Sequence, residues 1–191
     1  MHPLTLARAA VAEHGAMQKD QELASFAALV MDLEPKVIVE IGSDAGGTLW
    51  LWQQLAPRVI GVTLEKAWVG VFSTGRELDA HDCDMIIGDS HDVKVRHELE
   101  VTLGGEWIDV LFIDGDHSYQ GAKTDFEMYS PLVRPGGIVA FHDIMPCVNL
   151  PEIQVSRFWN TLDGDKEEIV VRPDISGYGI GVLRIPEKVA V

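Results

Sequence analysis

Apolar residues recur along this chain with two alternating periods. Residues 4–14 and 19–33 carry them at helical spacing, with Leu23, Phe26, Ala27 and Val30 on one face, and Pro35 stops the second run. Val37-Ile38-Val39-Glu40-Ile41 follows, short, β-branched and nearly all apolar, as in a parallel strand covered on both faces. A glycine-rich turn (Gly42, Gly46, Gly47) leads into a helix over residues 48–55, and residues 58–64 read as a second strand. A polar helical segment then precedes a third strand at Met85-Ile86-Ile87. The fourth strand, residues 108–113, ends on Asp114, and a helix covers roughly 120–130. Pro135-Gly136-Gly137 predicts a turn into a fifth strand, Ile138-Val139-Ala140-Phe141. An amphipathic segment over 155–162 is followed by Ile169-Val170-Val171 and residues 179–185, which read as a closing strand pair. Strands alternating with helices, joined by right-handed crossovers, predict an α/β fold with a doubly wound parallel sheet. Residues 1–191 read as one domain, with 1–34 as an N-terminal helical cap and 35–191 as the core.

Charge narrows the class of ligand. Thirty Asp and Glu oppose fifteen Lys and Arg, a formal charge of −15. A chain this acidic repels phosphate backbones and anionic headgroups, so neither nucleic acid nor membrane is expected as its partner. Cys83 and Cys147 lie far apart in no metal or redox spacing, which predicts buried free thiols in a reducing compartment and a cytoplasmic protein. Arg8, Glu13 and His14 interrupt the N-terminal apolar run, and no stretch approaches the ~20 apolar residues that span a bilayer.

In doubly wound sheets ligands bind beyond the carboxyl ends of the strands, and four of those ends carry acids or glycines here. Residues 40–48 read Glu-Ile-Gly-Ser-Asp-Ala-Gly-Gly-Thr, which is G-x-x-x-G-G rather than the G-x-G-x-x-G of a dinucleotide site. Glu40 and Asp44 would repel a pyrophosphate but suit a cationic ligand, which disfavours NAD and favours the ammonium and sulfonium of S-adenosylmethionine. Glu65, just past the second strand, is placed to chelate ribose hydroxyls. Gly88-Asp89-Ser90 follows the third strand and suits an adenine edge. Asp114-Gly115-Asp116-His117-Ser118-Tyr119 ends the fourth strand, and adjacency of strands four and five would bring Asp114 beside His142 and Asp143. Two carboxylates and an imidazole together suit a divalent metal such as Mg²⁺, Mn²⁺ or Zn²⁺, or else a hydrogen-bonded His–Asp network without metal.

These motifs, in this order, resemble the class I S-adenosylmethionine-dependent methyltransferases. The likeness is nearest to the small O-methyltransferases of the catechol and caffeoyl-CoA type and to cephalosporin-hydroxylase-like relatives, and it runs from about Met17 onward. It implies a Rossmann-like, mostly parallel seven-stranded sheet with an antiparallel C-terminal pair. It also implies that Glu40, Gly42, Asp44, Gly46 and Thr48 surround the methionine part of the cofactor. Glu65 would hold the ribose, Asp89 and Ser90 the adenine, and Asp114 and Asp116 the cofactor after strand four. Asp114, His142 and Asp143 fall on the metal-ligand positions of the catechol type, and His117 on that of its general-base lysine. A histidine there is well matched to neutral pH.

Three departures stand out: Thr63 occupies the usual ribose-binding position, His142-Asp143 replaces an Asp-Asn pair, and His117 replaces lysine. The implied activity is O-methylation of a small-molecule hydroxyl on a sugar, phenol or other natural product. The alternative is a cofactor-binding module without catalysis, or a partner subunit. The acceptor would sit between residues 1–20 and 145–158, Trp50 and Trp52 pack helix faces, and relatives of this type are often homo-oligomers. Seven acids (Glu40, Asp44, Glu65, Asp89, Asp114, Asp116 and Asp143) are expected to line one cleft.

Overall fold

In the computed structural model, which describes residues 1–64, 83–171 and 177–187, the chain begins with α1 (Pro3–His14) and α2 (Asp20–Leu33). It continues through β1 (Val37–Ile41), α3 (Gly47–Gln53), β2 (Arg58–Thr63), β3 (Asp84–Ile87), α4 (Val93–Leu103), β4 (Ile108–Ile113) and α5 (Tyr119–Tyr129). A 3-10 turn at Ser130–Leu132 leads to β5 (Val133–His142), α6 (Val155–Trp159), β6 (Asp165–Ile169) and β7 (Ile180–Arg184). One sheet takes the order β3-β2-β1-β4-β5-β7-β6, with β1 to β5 parallel and β7 antiparallel to both β5 and β6. The doubly wound architecture and the closing antiparallel pair are therefore as expected. Among the described residues no helix is long and apolar enough to cross a membrane.

The strand alternation builds two cores. Ile38, Val110, Phe112, Ile138 and Ala140 face α1, α2 and α3, where Phe26, Trp52 and Phe112 meet with ring centroids 5.5–5.7 Å apart. Ile41, Leu111, Ile113, Val139 and Phe141 face the opposite side, under Leu99, Tyr129, Phe158 and Trp159. Because every residue of β1 and β4 is buried, these strands read as apolar runs rather than as alternating ones.

Three elements differ from the sequence pattern. β5 does not begin after Pro135-Gly136-Gly137 but runs through it. Val133 pairs with Ile108 and Ile138 with Val110, so the proline and glycines form an irregularity inside the strand. β6 lies at Asp165–Ile169 rather than at Ile169-Val170-Val171. As the exposed edge strand it needs only one buried side chain, Ile169, and is otherwise charged. α4 escapes notice because its buried stripe is only Val95, Leu99 and Leu103 in a polar segment, although Asp92 caps its start and left-handed Gly104 its end. The polar helical segment expected before β3 falls in residues 65–82, outside the described residues.

Asp109 fixes the end of the sheet away from the cleft. Its Oδ2 accepts from the main-chain nitrogens of Lys36 (2.7 Å) and Val37 (2.9 Å), and its Oδ1 from Arg134 Nε (2.5 Å). Burial acts to raise this carboxyl, but Arg134 and the two amides outweigh it and hold the pKa below its ordinary value. A depressed folded pKa adds stability above the unfolded value near ~3.9 and loses it as pH falls through and below that value. Asp109→Asn should therefore be destabilised by about 1–3 kcal/mol at pH 7, with the difference from wild type narrowing toward pH 3, as read by urea melts at each pH.

Candidate functional site

The register of the parallel strands assembles the cleft. Ile113 pairs with Phe141, so Asp114 and His142, one residue further on, fall side by side. Asp114 N donates to Ile41 O (2.8 Å) and Gly42 N to Val62 O (2.9 Å), which carries the ladder one step past the strands. Gly42 then turns away at φ +87°, and a Cβ there would overlap the Asp114 carbonyl. Only glycine permits both the dihedral and the approach.

Beyond these ends opens a cleft of about 880 Å³, toward the upper end of the ~300–1,000 Å³ usual for small-molecule sites. Gly42, Asp44, Thr48, Asp89, Ser90, Asp114, Asp116, His117, His142 and Asp143 all line it. Gly46, the left-handed residue that starts α3, does not. Glu65 lies outside the described residues. Of the seven acids expected in the cleft, Asp44, Asp89, Asp114, Asp116 and Asp143 are there.

Glu40 is a correction to that expectation. It alternates onto the buried face of β1, fully enclosed, and its oxygens meet Thr48 Oγ1 and Trp52 Nε1, each at 2.5 Å. It supports the glycine turn from beneath through Thr48 rather than facing a ligand. Burial, partly offset by Thr48, pushes its carboxyl up to about 8.

At the β4–β5 junction four side chains converge. His142 Nδ1 lies 3.2 Å from Asp114 Oδ1 and 3.6 Å from Asp143 Oδ1. Burial works to lower this imidazole, but the charge and hydrogen bond of Asp114, joined by Asp143, raise it to about 10. His142 is thus a buried cation that balances the two carboxylates. Asp143 is raised by burial, but His142, His117 and the Tyr178 amide overcome this and hold it below the ordinary carboxylate range. His117 is more exposed; its Nδ1 lies 3.2 Å from Asp143 Oδ2 and its Nε2 3.6 Å from Asp114 Oδ1. Gln154 N donates to the His117 carbonyl (2.7 Å), tying the start of α6 to the site.

The set fits a divalent cation: ligand atoms of Asp114, His117 and Asp143 lie within 4.8 Å of one another, two oxygens and a nitrogen. Strain collects here as well. Asp44, Asp143 and Tyr178 are cleft-lining non-glycine residues at positive φ (36°, 60° and 65°).

At the other end of the cleft, Asp89 Oδ1 accepts from His91 N (2.9 Å), Tyr129 Oη donates to Ser90 O (2.6 Å), and Asp116 Oδ1 accepts from Ser118 N (2.8 Å). Asp125, fully buried on α5, sits 3.4 Å from His91 Nε2. Burial, against Ser90 and His91, lifts its carboxyl to about 6. Asp125 and Glu22 are acids on the buried faces of their helices, and an acid among apolar positions at helical spacing was a signal open to sequence reading. Gln18 and Tyr178, which also line the cleft, lie in connections where spacing says nothing.

A mostly parallel α/β sheet with a glycine turn after β1 and an acidic cleft across its strand ends defines a Rossmann-like fold. The family model described as a methyltransferase domain matches residues 39–144, more than half of the chain, and the chain belongs to that family. An uncharacterized protein of Acanthamoeba polyphaga mimivirus is 40% identical over 62 residues, a match spanning 27% of this chain and 28% of that relative. The crystal structure of an O-methyltransferase from Bacillus cereus in complex with SAH is similar in fold, 18% identical, with a TM-score of 0.63 over 95% of this chain and 90% of that one. The MycE methyltransferase of mycinamycin biosynthesis, in complex with Mg, SAH and mycinamycin VI, is 15% identical with a TM-score of 0.65, covering 100% of this chain and 57% of that one. At these identities the likeness establishes the fold.

Glu40 gives a pH test of the buried turn. A raised folded pKa adds stability below the ordinary carboxylate value, and that stability is lost as pH rises through about 8. Glu40→Gln, which cannot ionise, should gain on wild type by a few kcal/mol, on the order expected for such a shift, between pH 5 and pH 8.5 in parallel urea melts.

Proposed function

We propose that the protein transfers a methyl group from S-adenosylmethionine to a hydroxyl of a small-molecule acceptor. The observation that carries this reading is the convergence of a glycine turn, five aspartates and His117 on one cleft across the strand ends. Membership of the methyltransferase domain family supports it. Residues 1–34 act as a cap on a core of residues 35–191, and the two unpaired cysteines suit a cytoplasmic setting.

S-adenosylmethionine supplies an electrophilic methyl on a sulfonium. Gly42, Asp44 and Thr48 hold its methionine end, with left-handed Gly46 shaping the turn and Glu40 bracing Thr48 from below. Glu65 takes the ribose, Asp89 and Ser90 the adenine edge, and Asp114 and Asp116 border the centre. Magnesium, manganese or zinc would be held by Asp114 and Asp143 and would polarise the acceptor oxygen; the magnesium of the MycE complex supports this. His142, the third donor expected from the sequence, stands protonated between the two carboxylates, so a cation must displace that proton to gain it. His117 takes the acceptor proton. Its Nδ1 lies 3.2 Å from Asp143 Oδ2 and its Nε2 3.6 Å from Asp114 Oδ1, so two carboxylates border the ring that accepts the proton.

A second reading makes His117 the nitrogen donor, because its ligand atom falls within 4.8 Å of those of both aspartates. His117→Ala separates the two. As the proton acceptor, its loss should lower kcat by roughly 10²–10⁴ and leave Mn²⁺ affinity within about threefold, whereas loss of a ligand would weaken Mn²⁺ far more.

Titration calorimetry with S-adenosylmethionine and S-adenosylhomocysteine, followed by methyl transfer to a panel of phenols and sugars, tests the whole. Micromolar binding of both is expected, and folded protein that binds neither sinks the proposal. Asp114→Ala should abolish transfer while retaining S-adenosylhomocysteine; turnover undetectable in wild type as well would leave a binding module.

A further inference from the structure

The two carboxylates of the β4–β5 junction are reached from one stretch, residues 18–22, one directly and the other through a main-chain relay. Gln18, 7% exposed, extends from the α1–α2 connection and donates from Nε2 to Asp114 Oδ2 at 2.6 Å, across 96 positions of sequence. That leaves Oδ1 toward His142 and His117. The connection is itself clamped to the site. Ala16 N bonds to Ala10 O (2.9 Å), His14 stacks on Trp50 at 4.0 Å, and a Cβ on Gly47 would overlap the Ala16 main chain. One turn further on, Glu22 is fully buried and accepts from Val171 N (2.8 Å), Gly179 N (3.0 Å) and Lys19 Nζ (3.3 Å). Gly179 follows Tyr178, whose own amide donates to Asp143 Oδ1 at 3.1 Å. Tyr178 is held at φ +65° with its ring edge-on to His142, 5.9 Å between centroids, and Met145 N bonds to its carbonyl (2.9 Å).

We infer that the α1–α2 connection and the first turn of α2 are the positioning element of this centre: Gln18 orients Asp114, and Glu22 orients Asp143 through Gly179 and Tyr178. The inference rests on the reading of Asp114 and Asp143 as cation ligands. A purely structural role is a poor explanation for Gln18. Its Oε1 is buried with no hydrogen-bond partner among the described residues, which an apolar side chain of the same size would avoid. Glu22 likewise commits a fully buried carboxylate to two main-chain amides and Lys19 rather than to an apolar contact. Partners that orient ligands in this way typically change metal affinity by ~10–100-fold.

The test is Mn²⁺ and S-adenosylhomocysteine affinity, measured separately by calorimetry on wild type, Gln18→Met and Glu22→Gln, with melting curves for each. Gln18→Met fills the same volume without a donor, and Glu22→Gln reaches the other carboxylate should Gln18→Met fold poorly. We expect Mn²⁺ affinity to fall roughly 10–100-fold in Gln18→Met and about 3–10-fold in Glu22→Gln, with S-adenosylhomocysteine held within about threefold. Equal weakening of both ligands would assign these residues to the fold alone and overturn the inference, as would unchanged Mn²⁺ affinity. Wild type that binds S-adenosylhomocysteine but no Mn²⁺ overturns the cation site and this inference with it, leaving the methyltransferase reading intact. Wild type that binds no S-adenosylhomocysteine overturns that reading instead.

Discussion

The carbonyl of Asp114 occupies the space that any side chain at residue 42 would need, and the cleft is arranged around that contact. Because Asp114, one residue past β4, bonds to Ile41 O and Gly42, one residue past β1, bonds to Val62 O of β2, the turn after β1 must leave the sheet at once, in a left-handed conformation. Beyond that contact the Asp114 side chain stands between Gln18 and His142, the residue in register with it at the end of β5. A sheet that ended a residue earlier on either strand would separate the turn from the carboxylates.

Electrostatics follows from this packing. Two carboxylates on adjoining strands, both little exposed, repel each other unless a positive charge lies between them. His142 provides one from within the fold, its imidazole charged because the two acids outweigh the penalty of burial. Glu40 on β1 shows the opposite outcome. With hydroxyl and indole partners but no cation, its carboxyl rises instead, and the acid is most easily kept neutral. Similar carboxylates on one sheet thus take different charge states according to what each strand face presents.

The succession of strands along the chain, the parallel core and the gathering of acids at one edge were legible because burial on both faces leaves apolar runs, and the parallel strands are each followed by a residue that lines the cleft. Asp114, His142 and Asp143 could be placed together from strand adjacency alone. Glu40 was misassigned because a strand's last residues alternate between cleft and core, and only the register decides which way residue 40 points. β6 was displaced because an edge strand buries one side chain and needs no apolar pattern. Gln18 and Tyr178 could not have been found, since each reaches the site from a connection whose course is set by tertiary contacts.

The charged edge strand carries a further consequence for the surface. β6 presents Asp165, Lys166, Glu167 and Glu168 on the outermost rung of the sheet, with Arg184 of the inner neighbour 3.8 Å from Asp165 and 3.9 Å from Glu167. Open backbone hydrogen-bonding groups on such a rung are a template for another strand, but a second copy pairing there would bring three acids against three acids. Part of the chain's excess negative charge therefore insulates the sheet against edge-to-edge aggregation, a colloidal role separate from the acids gathered at the cleft.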